Sequence, residues 1–213
     1  EDMPLGLMFK QLDGVEAYGN ILVKDLNDIN FIFCNHPLYQ RKVDEDYEVE
    51  YQEAGLHHSC ALFSYEDMER GKLSLFGEEI SGLTIYRGWM MKPEMYSDFY
   101  TLLEQKGIYL INTPEEYERY HTLPGWYDDF ADETAQSVWE TEGNVENALL
   151  KAKQLSGSYI VKDYVKSRKH EWYDACFISN IADVANTASV IKNFVERQGD
   201  SLVGGIVLRK VEN

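Results

Sequence analysis

Ser158-Tyr159-Ile160-Val161-Lys162-Asp163-Tyr164-Val165-Lys166-Ser167-Arg168-Lys169-His170-Glu171 passes from an apolar run into a cationic one, with Lys162, Lys166, Arg168 and Lys169 inside eight residues. The apolar part predicts a strand, and Tyr173-Asp174-Ala175-Cys176-Phe177-Ile178 predicts a second, so the cationic part reads as the segment joining them. Downstream, a helix is expected from Ile181 to Arg197, apolar at Val184, Ala188, Ile191 and Val195 and ended by Gly199. Gly205-Ile206-Val207-Leu208-Arg209-Lys210-Val211 is the closing strand. Upstream, His121-Thr122-Leu123-Pro124-Gly125-Trp126 breaks the chain, and a polar stretch through Ser137-Val138-Trp139 leads to a helix around 145–155. Residues 121–213 therefore read as a small α+β unit.

Before residue 121 the rhythm is that of an α/β sheet. Asn30-Phe31-Ile32-Phe33-Cys34 is a strand closed by Asn35-His36-Pro37. Over 43–54, Val43, Tyr47, Tyr51 and Ala54 stand at helical spacing before Gly55, which makes an acidic amphipathic helix. Cys60-Ala61-Leu62-Phe63 is a second strand, after which the Ser64 hydroxyl caps a short helix with Asp67 three residues on. Leu83-Thr84-Ile85-Tyr86 runs into Arg87-Gly88-Trp89. Lys92-Pro93 opens a helix that reaches Gly107, and Ile108-Tyr109-Leu110-Ile111 meets a capping box of Thr113 and Glu116 around Pro114. Strands alternating with helices describe a parallel sheet with flanking helices over 29–120. The lead, 1–28, shows turns at Gly14 and Gly19-Asn20 but takes no assignment.

A chain of 213 residues hides roughly 70% of its unfolded surface when it folds, and 44% hydrophobic with 13% aromatic residues supplies the core. Disorder is excluded for most of the length. Twenty basic against 37 acidic side chains leave −17, which disfavours nucleic acid and anionic membrane surfaces as partners. No apolar run reaches the roughly 20 residues that span a bilayer, and Glu1-Asp2-Met3-Pro4 lacks the basic start of a secretory signal, so a cytoplasmic protein is expected. Cys34, Cys60 and Cys176 show no Cys-x-x-Cys spacing and read as buried free thiols. An oligomer is compatible with an acidic chain that exposes a cationic loop, although no symmetric patch is indicated.

The candidates for chemistry are few. A lysine at the end of a buried strand presents a compact charge suited to a phosphate oxygen, and four cations together concentrate a positive field in an acidic molecule. The same pattern also describes a solvated hairpin loop paired with nearby carboxylates, and charge alone leaves both open. Arg87, at the carboxyl end of a strand, is either a contact for a substrate carboxylate or half of a structural ion pair. His57-His58 would point to opposite faces of a strand, so with Glu53 and Asp44 they make no metal site. His36 and His121 sit beside proline-containing turns, His170 and Glu171 lie near Lys166 as candidate substrate contacts, and no serine has the His–acid pattern of a triad. The carboxylates from Asp44 to Glu53 read as the wet face of a packed helix.

Ile160-Val161-Lys162-Asp163-Tyr164-Val165-Lys166-Ser167, then Trp172, Cys176, a helix and Gly204-Gly205-Ile206-Val207-Leu208-Arg209 resemble the central portion of ATP-grasp proteins, most of all the clade named for one arginine and two lysines. Ile85-Tyr86-Arg87-Gly88-Trp89-Met90 and Leu110-Ile111-Asn112-Thr113-Pro114-Glu115-Glu116-Tyr117 resemble its pre-ATP-grasp domain, so the likeness covers roughly 30–213. The resemblance implies a pre-ATP-grasp α/β domain over 29–120 and a small ATP-grasp subdomain over 121–213. It implies an ATP-dependent, ADP-forming carboxylate–amine ligase acting through an acyl phosphate on a small carboxylate or peptide. Lys162 and Lys166 would neutralise phosphate oxygens and Arg209 would face phosphate transfer, with Lys210 and Val211 at the adenine hinge. Arg87 and His170 would contact substrate. The clade lacks the glycine-rich loop of other ATP-grasp enzymes, as does 162–173. The acidic and Asn ligands for Mg²⁺ are expected in a large domain outside this chain, which makes the ligase incomplete as it stands. The alternative is a non-catalytic nucleotide- or protein-binding module that keeps the fold.

Overall fold

The computed structural model describes residues 29–212 and divides the chain into two units, one ending at Pro114 and one beginning at Glu115. The expectations for residues 1–28 lie outside the described residues.

The first unit is built on β1 (Asn30–His36), which lies parallel to β3 (Cys60–Phe63) on one side and to β5 (Gly82–Arg87) on the other, with β6 (Ile108–Leu110) parallel beyond β5. β4 (Leu75–Gly77) is antiparallel at the β3 edge, and β2 (Tyr39–Val43) folds back on the end of β1. The sheet is therefore mixed, with a parallel centre as its alternating pattern predicts. β2 and β4 escape that pattern because Tyr39-Gln40-Arg41-Lys42-Val43 is exposed and β4 is short, so neither carries a buried alternating face.

One face of the sheet buries Phe33, Cys60 and Leu62 under Tyr47, Tyr51 and Ala54, the apolar side expected of the acidic helix. The helix itself, α1 (Glu48–Ala54), starts later than the spacing suggests. Val43 belongs to β2, and Asp44 Oδ1 accepts the Asp46 N–H at 3.0 Å to cap a 3₁₀ turn over Glu45–Tyr47. The opposite face packs Phe63 against Phe99, tilted by 37° with 4.5 Å between ring centroids, from α3 (Pro93–Glu104). α2 (Tyr65–Glu69) carries the expected cap, with Ser64 Oγ accepting the Asp67 N–H at 3.1 Å. The Asp67 carboxylate does not reciprocate; it accepts the Ser74 hydroxyl at 2.6 Å. Ser64→Ala is expected to destabilise this unit by about 1 kcal/mol, the usual worth of such a cap, measured by urea denaturation. All three cysteines are free and buried, and burial pushes the Cys34 and Cys60 thiols up to about 11.

α4 (Pro114–His121) begins at the boundary, and the second unit continues with α5 (Leu123–Trp126) and centres on an antiparallel sheet. β7 (Ser137–Trp139), β10 (Val207–Lys210), β8 (Tyr159–Lys162) and β9 (Phe177–Ile178) lie side by side in that order. Tyr159, Val161, Ile178 and Leu208 point to the face where α6 (Val145–Ala152) and α8 (Val184–Gln198) supply Ala148, Val190, Ile191 and Phe194.

Two expectations are corrected here. The second strand is two residues long, because Trp172–Ala175 forms a helical turn, α7, which Asn193 ties to α8 through the Asp174 carbonyl at 2.9 Å. Trp172 then lies flat on Phe177, 5.0 Å away and 8° from parallel. α8 begins at Val184 after an Asp183 cap, not at Ile181. Its buried line runs through Thr187, Val190, Ile191, Phe194 and Gln198, leaving Val184 63% exposed. The line containing the bulky Phe194 outweighs the smaller Val184–Ala188 line, since the large aromatic ring has more area to hide.

Candidate functional site

Antiparallel pairing sets Lys162 opposite Val207 and Ile160 opposite Arg209. Directly opposed residues share a face, and alternate residues of a strand do too, so Lys162 and Arg209 rise from the same side of the sheet. It is the side away from α6 and α8. Lys162 is half-buried, and its Nζ donates to the Asp163 carbonyl at 2.8 Å. Burial pushes this lysine down to about 8; the Asp163 charge opposes the shift, and Arg209 and Lys169 add to it. Arg209 is held by neutral hydroxyls, donating to Thr134 Oγ1 at 2.8 Å and Ser137 Oγ at 3.3 Å.

Lys166 and Lys169 are exposed. Among the described residues, no carboxylate lies within ion-pair distance of Lys162, Lys166, Lys169 or Arg209. Arg209 stands apart from the other described arginines, each of which except Arg41 has such a partner, whereas Lys42, Lys106, Lys151, Lys153 and Lys210 are lysines that also have none. The fourth member of the cation group behaves differently. Arg168 Nε donates to Glu171 Oε1 at 2.7 Å, Arg197 grips the other Glu171 oxygen, and the Arg168 hydrogen bond first of all holds the Glu171 carboxyl below the usual range. Arg168 also reaches the Arg197 carbonyl at 3.2 Å and Gln198 Oε1 at 3.3 Å, which makes it a brace between the loop and α8.

The remaining expected positions are scattered. His170 is exposed, with Nε2 3.2 Å from Glu171 Oε1. The N–H groups of Lys210 and Val211 are taken by the carbonyls of Gln136 at 2.8 Å and Ser158 at 2.9 Å. Arg87, in the first unit, forms a bidentate pair with Glu50, so of its two readings the ion pair is the one formed here.

Sequence reasoning passes over the groups that shape the loop. Asp163 is fully buried and accepts the Val165 and Lys166 N–H groups on Oδ1 at 2.7 and 2.5 Å; its other oxygen receives Gln198 Nε2 at 2.9 Å. An aspartate capping the backbone two and three residues ahead is a local signature that the sequence does contain. Glu140 has no such signature. It is buried, takes the Ile206 N–H at 2.6 Å and the Glu142 and Asn144 N–H groups at 3.0 Å each, and so anchors the approach to β10 from 66 residues away. His121, expected only as a turn residue, sits where Lys166, Asp163 and Lys162 all act on its ring. Burial, followed by Lys166, lowers its affinity for a proton.

Residues 150–213 match the family model of an ATP-grasp domain, family 3 of the clade named for one arginine and two lysines. Over those residues the chain is similar to an ATP-grasp domain. Among solved structures, the chain is similar to an ATP-grasp RimK domain protein from Sphaerobacter thermophilus, at 10% identity and a TM-score of 0.54, covering 86% of this chain and 64% of that one. It is also similar to D-alanyl-alanine synthetase A from Vibrio cholerae O1 biovar eltor, at 14% identity and a TM-score of 0.49, covering 87% of this chain and 60% of that one. The first likeness extends the ATP-grasp fold over most of the chain, which spans about three fifths of the length of either structure. No curated protein matches. Among the described residues, no helix is long and apolar enough to cross a membrane.

Proposed function

We propose that this chain supplies the pre-ATP-grasp part and the small ATP-grasp lobe of an ADP-forming carboxylate–amine ligase, with the ATP phosphates resting on Lys162, Lys166 and Arg209. The observation that carries this reading is that Lys162, half-buried, and Arg209 share one face of the β8–β10 sheet with no carboxylate partner, while Lys166 follows in the turn just beyond β8. A lysine half-buried at a penalty, beside an arginine on the same face and without a carboxylate for either, is suited to an external polyanion.

In such a reaction a phosphoryl group passes from ATP to a carboxylate, and an amine then displaces phosphate to give an amide. This chain's part is to bind, orient and neutralise. Lys162 and Lys166 spread positive charge over phosphate oxygens, and Arg209, held flat by Thr134 and Ser137, presents its remaining N–H donors to the group in transfer. Arg87 and His170, each within its own unit, are proposed as contacts for a carboxylate substrate, Arg87 by exchanging Glu50 for it. Mg²⁺ does not fit here. Among the described residues no three His, Cys, Asp or Glu side chains gather to hold a metal, Asp163 has both oxygens engaged, and Glu171 is spent on two arginines. Ligands for it are proposed in the part of the fold that this chain does not span.

Titration calorimetry of MgATP into the complete gene product tests the reading. Lys162→Met and Lys166→Met are each expected to weaken binding about tenfold or more, the worth of one charge-assisted contact. Unchanged affinity in both variants would refute the site. ADP release against a panel of amino acids and peptides then separates a ligase from a binding module that holds ATP without turning it over.

A further inference from the structure

We propose that Asp163 is a positioning residue that sets the spacing of Lys162 and Lys166: its carbonyl receives the Lys162 ammonium while its buried carboxylate receives the backbone of the turn that carries Lys166. The proposal rests on the phosphate-binding reading of these lysines. Asp163 is 0% exposed, and each of its polar groups is committed. Its N–H donates to the Lys166 carbonyl at 2.9 Å, Oδ1 takes the Val165 and Lys166 N–H groups, and Oδ2 takes Gln198 Nε2 at 2.9 Å and the Val203 N–H at 3.3 Å. The end of β8, the end of α8 and the 199–204 connection therefore meet on one carboxylate, which fixes the backbone from which Lys166 extends beside the carbonyl that holds the Lys162 ammonium.

The charge itself needs explaining. An asparagine oxygen would accept the same two turn N–H groups, yet the chain buries a carboxylate with no ion-pair partner among the described residues, which is unfavourable. What a charge adds over an amide is its field on the adjacent ammonium. The charged groups acting on Lys162 are Asp163, Arg209 and Lys169, and Asp163 alone among them favours the protonated lysine. His121, half-buried beside the same groups, is likewise pushed toward its charged form by Asp163 and away from it by both lysines. Asp163 thus holds the lysines in place and keeps the buried one charged.

The test is MgATP titration of the complete gene product across a pH range of about 6.5 to 9.5, which brackets the lysine's lowered titration, for the wild type, Lys162→Met, Asp163→Asn and the pair Asp163→Asn with Gln198→Glu. Asp163→Asn is expected to weaken MgATP about tenfold at neutral pH and to move the pH midpoint of affinity downward, a shift that mere loosening of the fold does not produce. The double variant returns the carboxylate from the facing position and should restore affinity to within about threefold. Asp163→Asn binding as the wild type does, with an unmoved midpoint while Lys162→Met binds poorly, overturns the proposal. Amide hydrogen exchange of the unliganded wild type judges it without nucleotide. Val165 and Lys166 should be among the protected amides of their unit, and free-loop exchange rates there overturn the proposal as well. Absence of MgATP binding by the wild type counts against the phosphate-binding reading and leaves the exchange result to decide on Asp163.

Discussion

Lys162→Met should make the protein more stable while weakening nucleotide binding. In the folded chain burial brings this lysine down to about 8, against its ordinary 10.5 when unfolded. A lowered lysine means that the charged form is disfavoured by folding, so the penalty is fully present below about pH 8. It fades between about 8 and 10.5, where the folded protein has released the proton and the unfolded chain still holds it. A shift of that size corresponds to at most about 3 kcal/mol at neutral pH. The hydrogen bond to the Asp163 carbonyl is lost in the variant and offsets roughly 1 kcal/mol. Thermal unfolding at about pH 7 is expected to show a Tm raised by several degrees in Lys162→Met, with the two proteins converging as pH rises above about 10. A lower Tm for the variant at neutral pH would mean that the ammonium is already satisfied and awaits nothing.

The second large effect is the collapse of the second unit in Gly205→Ala. A Cβ at residue 205 would overlap the Glu140 carbonyl oxygen and stand 2.7 Å from the carbonyl carbon, both backbone atoms of the chain beside β7. Neither can yield without breaking the Ile206 N–H to Glu140 Oε1 bond at 2.6 Å and the Glu140 N–H to Ile206 carbonyl bond at 3.0 Å. The expected loss exceeds about 3 kcal/mol, seen as a large drop in Tm or as insoluble protein. Gly157→Ala is the control. Residue 157 has a positive φ, +95°, but a Cβ there meets nothing within 4 Å, so only the backbone cost of about 1 kcal/mol applies. Equal losses in the two variants would show that close approach at 205 is not what the glycine provides.

The two effects fall at the end of β8 and on the approach to β10, and they mark where reading the chain succeeds and where it stops. Lys162 and Arg209 are legible as candidates because each follows an apolar run that has to be a strand. Their partners are not. Thr134, Ser137 and Glu140 lie in a polar stretch without periodicity, and the bonds they make to β10 and its approach span 75, 72 and 66 residues of chain, beyond the reach of any local pattern. Arg168 looks equal to its three cationic neighbours until the fold places Glu171 against it, three residues along in the same turn.

The amino-acid order by itself determined the α/β alternation, the parallel centre of the first sheet, the Ser64 cap and the strand that ends at Lys162. These follow from local periodicity, capping and burial, which act over a few residues. Only the tertiary structure decided which hydroxyls hold Arg209, which side of α8 is buried, and that Lys162 and Arg209 share a face. Those outcomes depend on strand register and on contacts between residues far apart in the chain, and no local pattern encodes either.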